Sequence, residues 1–207
     1  MTPPTAASAE LPLFPLQAVL FPDGLLALRV FEARYLDLVA TCLRDRTGFG
    51  VVALRRGSEV RRTDQGVAFE TVGPRAEVLE VDSAQTGILQ VRCRGGQRFE
   101  VRNSRQQEDG LWVAVVDPVD ADAVVPPTAA LAGAARGLAD AVTALEGQNT
   151  QPFLAPHRFD DAGWVANRWC EILPISLAAK QKLLELRDPL MRLGIVDDFL
   201  RQKGVLP

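Results

Sequence analysis

Ser176 and Lys180 stand four residues apart in a segment that reads as helix, the spacing at which a lysine can serve as base to a serine nucleophile. The same spacing arises when a serine caps a helix and a solvated lysine follows one turn later, which is the plainer reading. His157 is the one histidine in the chain, so chemistry that needs two imidazoles, as metal ligands or as a base and its partner, is excluded. It precedes Asp160 and Asp161 in a loop, where one of these aspartates suits the start of the next helix. Only three lysines occur, Lys180, Lys182 and Lys203, and none follows a glycine, so there is no phosphate-binding loop of the GxxxxGK[ST] kind. The stretch from Gly48 to Ala53 spells a degenerate GxGxxA, but its glycines lead into a strand instead of joining strand to helix. Acid pairs such as Glu108-Asp109 and Asp197-Asp198 fall on turn or helix surface, with nothing to mark a general acid and base.

Arginines offer a second kind of chemistry. Arg55, Arg56, Arg61 and Arg62 surround a hairpin loop at Gly57-Ser58, and Arg92, Arg94, Arg98 and Arg102 decorate adjacent strands, an arrangement that could grip phosphates. Glu59, Asp64, Glu70, Glu77, Glu80 and Glu100 are interleaved with them, which is equally the pattern of a mixed, solvated surface. With 23 basic and 26 acidic residues the net charge is −3, no general reason to expect a nucleic acid or an anionic membrane. Cys42, Cys93 and Cys170 are odd in number and far apart, which fits neither a disulfide framework nor a zinc cluster and favours a reducing cytoplasm. The longest apolar runs fall far short of the roughly 20 residues of a membrane span.

The elements that must position these groups change character along the chain. Residues 1–10 read as a leader. Residues 11–118 read as a β-rich barrel, with strands expected at Leu11–Phe14, Leu25–Val30, Phe49–Leu54, Val67–Val72, Ala76–Val81, Ile88–Arg94, Arg98–Arg102 and Leu111–Val116. In Ile88 to Arg94 the apolar Leu89, Val91 and Cys93 alternate with Gln90, Arg92 and Arg94, so one face is buried and the other wet. One helix interrupts the strands between Glu32 and Arg44, where Tyr35, Leu38, Val39 and Cys42 recur at helical spacing, and it is expected to close a mouth of the barrel. Residues 119–207 read as a helical bundle. Leu131, Leu138, Val142 and Leu145 form one stripe, with Gly133 and Gly137 placed for close approach of a neighbouring backbone. Further helices run from Asp161 to Leu173, from the cap Ser176 with Leu177, Leu183, Leu184 and Leu186 inward, and from Asp188-Pro189 to Gly204. The fold class is therefore α+β.

Two separated blocks carry a resemblance. Leu11-Pro12-Leu13-Phe14-Pro15-Leu16, Leu20-Phe21-Pro22 and Arg29-Val30-Phe31-Glu32-Ala33-Arg34-Tyr35 resemble the opening of the Lon protease N-terminal domain, with its LPLFPL, LFP and HVFEPRY pattern. Leu173-Pro174-Ile175-Ser176, Lys180 to Glu185 and Asp188 to Leu193 look like the end of the same domain, and Gly73, Ala76–Val81 and Gly95–Val101 like its central strands. Arg29 and Ala33 depart from the family's frequent His and Pro. The resemblance implies a pseudo-barrel similar to PUA domains, followed by helices, and a cofactor-free module that binds unfolded or flexible polypeptide without catalysis. Neither the ATPase nor the Ser-Lys peptidase module of full Lon fits into 207 residues. On this reading the module serves a protease or chaperone as an adaptor, and the alternative is an RNA-binding module acting through the arginine-bearing strands. Phe31, Glu32, Arg34 and Tyr35 are the polypeptide-binding residues that the family signature nominates. Their chemistry also suits a helix start, with Phe31 and Tyr35 packed one turn apart and Arg34 reaching a nearby carboxylate or carbonyl. A groove, if present, is expected between barrel and bundle.

Overall fold

The structure, a computed structural model, describes residues 10–56, 67–148 and 151–206. Among these, seven strands and five helices follow in the order β1 (Glu10–Leu16), β2 (Leu25–Val30), α1 (Ala33–Asp45), β3 (Phe49–Arg56), β4 (Ala68–Phe69), β5 (Val72–Gln85), β6 (Ile88–Gln106), β7 (Trp112–Pro118), α2 (Ala132–Glu146), α3 (Ala162–Ile172), α4 (Leu177–Glu185) and α5 (Pro189–Gln202). The arrangement is α+β. Gly57, Ser58, Glu59, Arg61, Arg62 and Asp64 lie outside the described residues.

Five strands bond in a ring, β1-β7-β6-β5-β3, which the parallel pairing of β3 with β1 closes. All other pairings are antiparallel, with β4 added to β3 and β2 to β6. The alternation in 88–94 holds: Val91 and Cys93 are buried while Gln90, Arg92 and Arg94 face out. Two expected strands prove to be one, because β6 runs unbroken through Gly95-Gly96 to Gln106. The glycines do not end the strand; they let other chain segments press against it. A Cβ at Gly95 would lie 2.1 Å from the Phe21 carbonyl oxygen, and one at Gly73 only 1.9 Å from that of Val51.

Inside the barrel, α1 lays Tyr35, Leu38, Val39 and Cys42 over Phe14, Phe49, Val51, Val91 and Cys93, closing one mouth. Leu11, Leu13, Val52, Phe99, Ala114 and Val116 fill the other end. The helices share a separate core around α3, which is buried on every side from Ala162 to Cys170. Its N-terminus is fixed by Asp161, whose Oδ1 accepts the Gly163 N–H at 3.0 Å, and Ser176 and Asp188 cap α4 and α5 in the same manner. Leu177, expected inward, is 38% exposed, whereas Leu183 and Leu184 are buried as expected. At Gly137 the close neighbours are side chains, Leu206 and Trp169, and not a second backbone.

Phe21, between β1 and β2, belongs to the helical core and so pins the barrel to it. Polar bolts add to this. Arg98 lies on the outward face of β6 yet is only 4% exposed, because the helices cover it. Its guanidinium donates to the Leu184 carbonyl at 2.7 Å and pairs with Asp122, on the connection between β7 and α2. Arg192 of α5 reaches the same carboxylate at 2.7 Å and donates to Asn167 of α3 at 3.1 Å. Burial lowers the pKa of Arg98, against the attraction of Asp122. One carboxylate thus serves two buried cations.

Candidate functional site

The four signature residues stand at the entry to α1, and the structure divides them. Tyr35 is buried and lies flat on Phe14, with ring centroids 3.8 Å apart and planes 9° apart. Arg34 is also buried: its Nη1 donates to the Gly110 carbonyl at 2.8 Å, its Nη2 meets the Glu32 carboxylate at 2.8 Å, and its guanidinium covers the Tyr35 ring at 4.6 Å. These contacts tie the start of α1 to the turn between β6 and β7. Glu32 makes no side-chain cap to the helix, since its carboxylate is turned to Arg34. Phe31, by contrast, stands 52% exposed. Arg34 and Tyr35 therefore position the segment, and Phe31 is the group it presents.

What Phe31 borders is a groove of about 290 Å3 in the barrel wall. One side is Phe14, Leu16 and Ala18; the other is the length of β2 from Leu26 to Val30, with Phe31, Glu32 and Tyr35 at one end. The lining is aliphatic and aromatic apart from Arg29 and Glu32, the latter already paired with Arg34. An apolar depression of this kind can take up hydrocarbon side chains. The groove residues of β2 were not nominated from sequence. Their signal is there, since Leu25-Leu26-Ala27-Leu28 is apolar on both faces of an outer strand.

A second depression, of about 340 Å3, does lie between barrel and helices. It is bordered by Arg94, Arg98, Arg158, Asp23, Asp122 and Asp161, and its charges are spent on one another. Arg158 pairs with Asp23, Arg98 with Asp122, and Arg94 with Glu77 at 2.7 Å. On the outer face of β6, Arg92 meets Glu80 at 3.0 Å and Arg102 pairs with Asp117. Beneath the turn at Pro22, Arg168 of α3 donates to the Pro22 carbonyl at 2.8 Å and to Glu171 at 2.6 Å. Burial pushes the Glu171 carboxyl up to about 7, with Arg168 acting in the opposite sense.

The catalytic candidates do not assemble. The Ser176 hydroxyl oxygen accepts the Ala179 N–H at 3.2 Å, and Lys180 donates to the Glu171 carbonyl at 3.0 Å, so each is engaged with backbone. His157 lies among Phe159 and Trp164, its ring 5.8 Å from each. Among the described residues no group of His, Cys, Asp and Glu is placed to hold a metal ion, and no helix is long and apolar enough to cross a membrane.

Comparison with known proteins bears on the same features. A crystal structure titled Lon N-terminal domain protein from Xanthomonas campestris superposes with a TM-score of 0.69 at 32% sequence identity, over 91% of this chain and 96% of that one. The N-terminal domain of Mycobacterium avium complex Lon protease shares the fold, with a TM-score of 0.64 at 16% identity over 92% and 97% of the two chains. Among curated proteins none matches. The family profile described as the ATP-dependent protease La (LON) substrate-binding domain covers residues 10–202, from the first residue of β1 to the last of α5. Ring of strands, helical core and the signature at the entry to α1 are thus one inherited unit, and the chain belongs to the Lon substrate-binding domain family.

Proposed function

We propose that this chain is a non-catalytic module that binds flexible or unfolded polypeptide in the cytoplasm and presents it to a protease or chaperone. The observation that carries the reading is the apolar groove bordered by the exposed Phe31, in a chain of a substrate-binding family. An unfolded segment differs from a folded surface chiefly in exposing apolar side chains, and a groove lined mainly by apolar side chains selects for that difference. The engagement of Ser176 and Lys180 with backbone supports a role without turnover. Three buried free thiols suit a reducing compartment. The RNA-binding alternative is disfavoured, because Arg92, Arg94 and Arg102 each hold a carboxylate that a phosphate would have to displace.

The test is fluorescence anisotropy of a labelled, reduced and carboxymethylated protein titrated with the purified chain. Saturable binding at concentrations on the order of tens of micromolar, changing little between low and moderate salt, is expected. Absence of binding, or a steep salt dependence shared with a labelled RNA, would count against it.

A further inference from the structure

The ring of strands has a seam. β7 pairs with β1 only over Glu10–Leu13, and with β6 only from Phe99 to Gln106. The earlier part of β6, Leu89–Arg94, is bonded to β2. A strand has two edges, and β5 occupies the other edge of β6 from Ile88 to Glu100, which takes in the part bonded to β2 and the first residues bonded to β7, so β2 and β7 follow each other on one flank. β7 bridges β6 to β1, whereas β2 does not: among the described residues its one strand neighbour is β6. Past Leu13, β1 and β2 therefore face one another across a gap, and that gap is the groove described above.

Five successive residues of β2, Leu26 to Val30, line it. Side chains alternate between the two faces of a sheet, so a continuous lining means that the strand's edge, with its backbone groups, borders the groove. The register identifies those groups. The Gly95 N–H donates to the Gly24 carbonyl at 2.9 Å, and the alternation of an antiparallel ladder then turns Leu26, Leu28 and Val30 toward β6. Leu25, Ala27 and Arg29 direct their N–H and C=O groups outward into the seam.

We propose that an extended, uncharged apolar segment of a client polypeptide pairs with this edge of β2 as an added strand. Its alternate side chains enter the groove over the stacked Phe14 and Tyr35, beside Phe31. The occupant follows from complementarity: a row of outward backbone donors and acceptors at strand spacing matches another extended backbone, and the near-neutral lining matches apolar side chains. The inference rests on the polypeptide-binding reading and specifies how that binding is made.

Two variants of one probe separate main-chain pairing from mere apolar contact. The probe is a labelled seven-residue peptide alternating valine and alanine between terminal lysines, tested unmodified and with alternate backbone nitrogens methylated in either phase. Methylation in the phase that faces β2 is expected to weaken binding about tenfold or more, and methylation in the other phase to change it little. Ala27→Pro, which removes an outward N–H from an outer strand where proline is tolerated, is expected to cause a similar loss. Should that variant misfold, hydrogen exchange on the unaltered chain decides, with peptide slowing the amides of Leu25, Ala27 and Arg29. Equal binding of both methylated peptides, or unchanged exchange at saturation, overturns strand addition while leaving polypeptide binding intact. No binding of either the peptide or the unfolded protein overturns both. A dimer formed through β2 and dispersed by Ala27→Pro would identify a second copy as the occupant and also overturn the proposal.

Discussion

Arg34 and Gly110, far apart in sequence, are joined by a single hydrogen bond of 2.8 Å from the guanidinium to the turn carbonyl. The arginine that makes it is buried, pairs with Glu32 and lies over Tyr35. Replacing it with methionine keeps the hydrocarbon stem but leaves the Glu32 carboxylate without its cation and the Gly110 carbonyl with the Gln106 amide as its remaining side-chain donor. Arg34→Met is expected to cost about 2–4 kcal/mol in urea unfolding. Phe31→Ala, at an exposed ring, is expected to stay within about 0.5 kcal/mol while weakening polypeptide binding several-fold. A stable Phe31→Ala variant that binds as well as the parent would remove Phe31 from the site.

The ion cluster between barrel and helices yields a second prediction. Asp122→Ala leaves Arg98 and Arg192 buried side by side without their shared counter-charge. Loss of about 3–5 kcal/mol is expected, read from the urea midpoint. The substitution Asp117→Ala, which releases the exposed Arg102, is expected to change stability by under about 1 kcal/mol. Comparable losses from the two would mean that the cluster is more hydrated than its burial indicates.

Stability should fall as pH rises through mildly acidic values on account of Glu171. Its carboxyl titrates near 7 in the folded chain, because burial penalises the charge, against about 4.3 when unfolded. Between those values the folded state holds the extra proton, so this group's contribution is greatest below about 4 and is lost progressively up to about 7. Glu171→Gln is expected to flatten that part of the curve, measured by urea unfolding from pH 5 to 8. An unchanged slope would show the carboxylate to be ionised throughout, held by Arg168.

The thiols provide a probe of the cores. Burial pushes Cys93 and Cys170 up to about 12 and raises Cys42 as well, so at pH 8 all three are protonated and shielded. Reaction with a disulfide reagent is expected to be negligible in native buffer and to reach three equivalents in denaturant. Fast labelling of Cys42 or Cys93 under native conditions would mean that α1 lifts from the barrel mouth.

Much of this was legible in the sequence where the cause is local. The alternation from Leu89 to Cys93, the helical spacing of Tyr35, Leu38, Val39 and Cys42, and the caps Asp161, Ser176 and Asp188 each depend on neighbours a few residues away, and each element formed where expected. Features set by distant packing were hidden. Gly95-Gly96 looks like a break between strands until the chain at Phe21 is seen pressed against it. Arg98 belongs to the outward face of its strand, as its place in the alternation implies, and only the overlying helices make it a buried anchor. The groove was half visible: the run Leu25 to Leu28 is apolar on both faces, but only the strand pairing shows that its outer edge lacks a strand neighbour among the described residues.

The parallel contact between β1 and β3 and the antiparallel one between β1 and β7 place the first described strand between segments that emerge early and late from the ribosome. Leu11 and Leu13 reach their final environment only when Val113 and Ala114 arrive, roughly a hundred residues of synthesis later. Until then a nascent chain carries an apolar strand with one open side, and closure of so long a loop is intrinsically slow. Stalling of translation before Trp112 would accordingly leave a species prone to associate through that strand, a vulnerable condition every copy must pass through during its own birth.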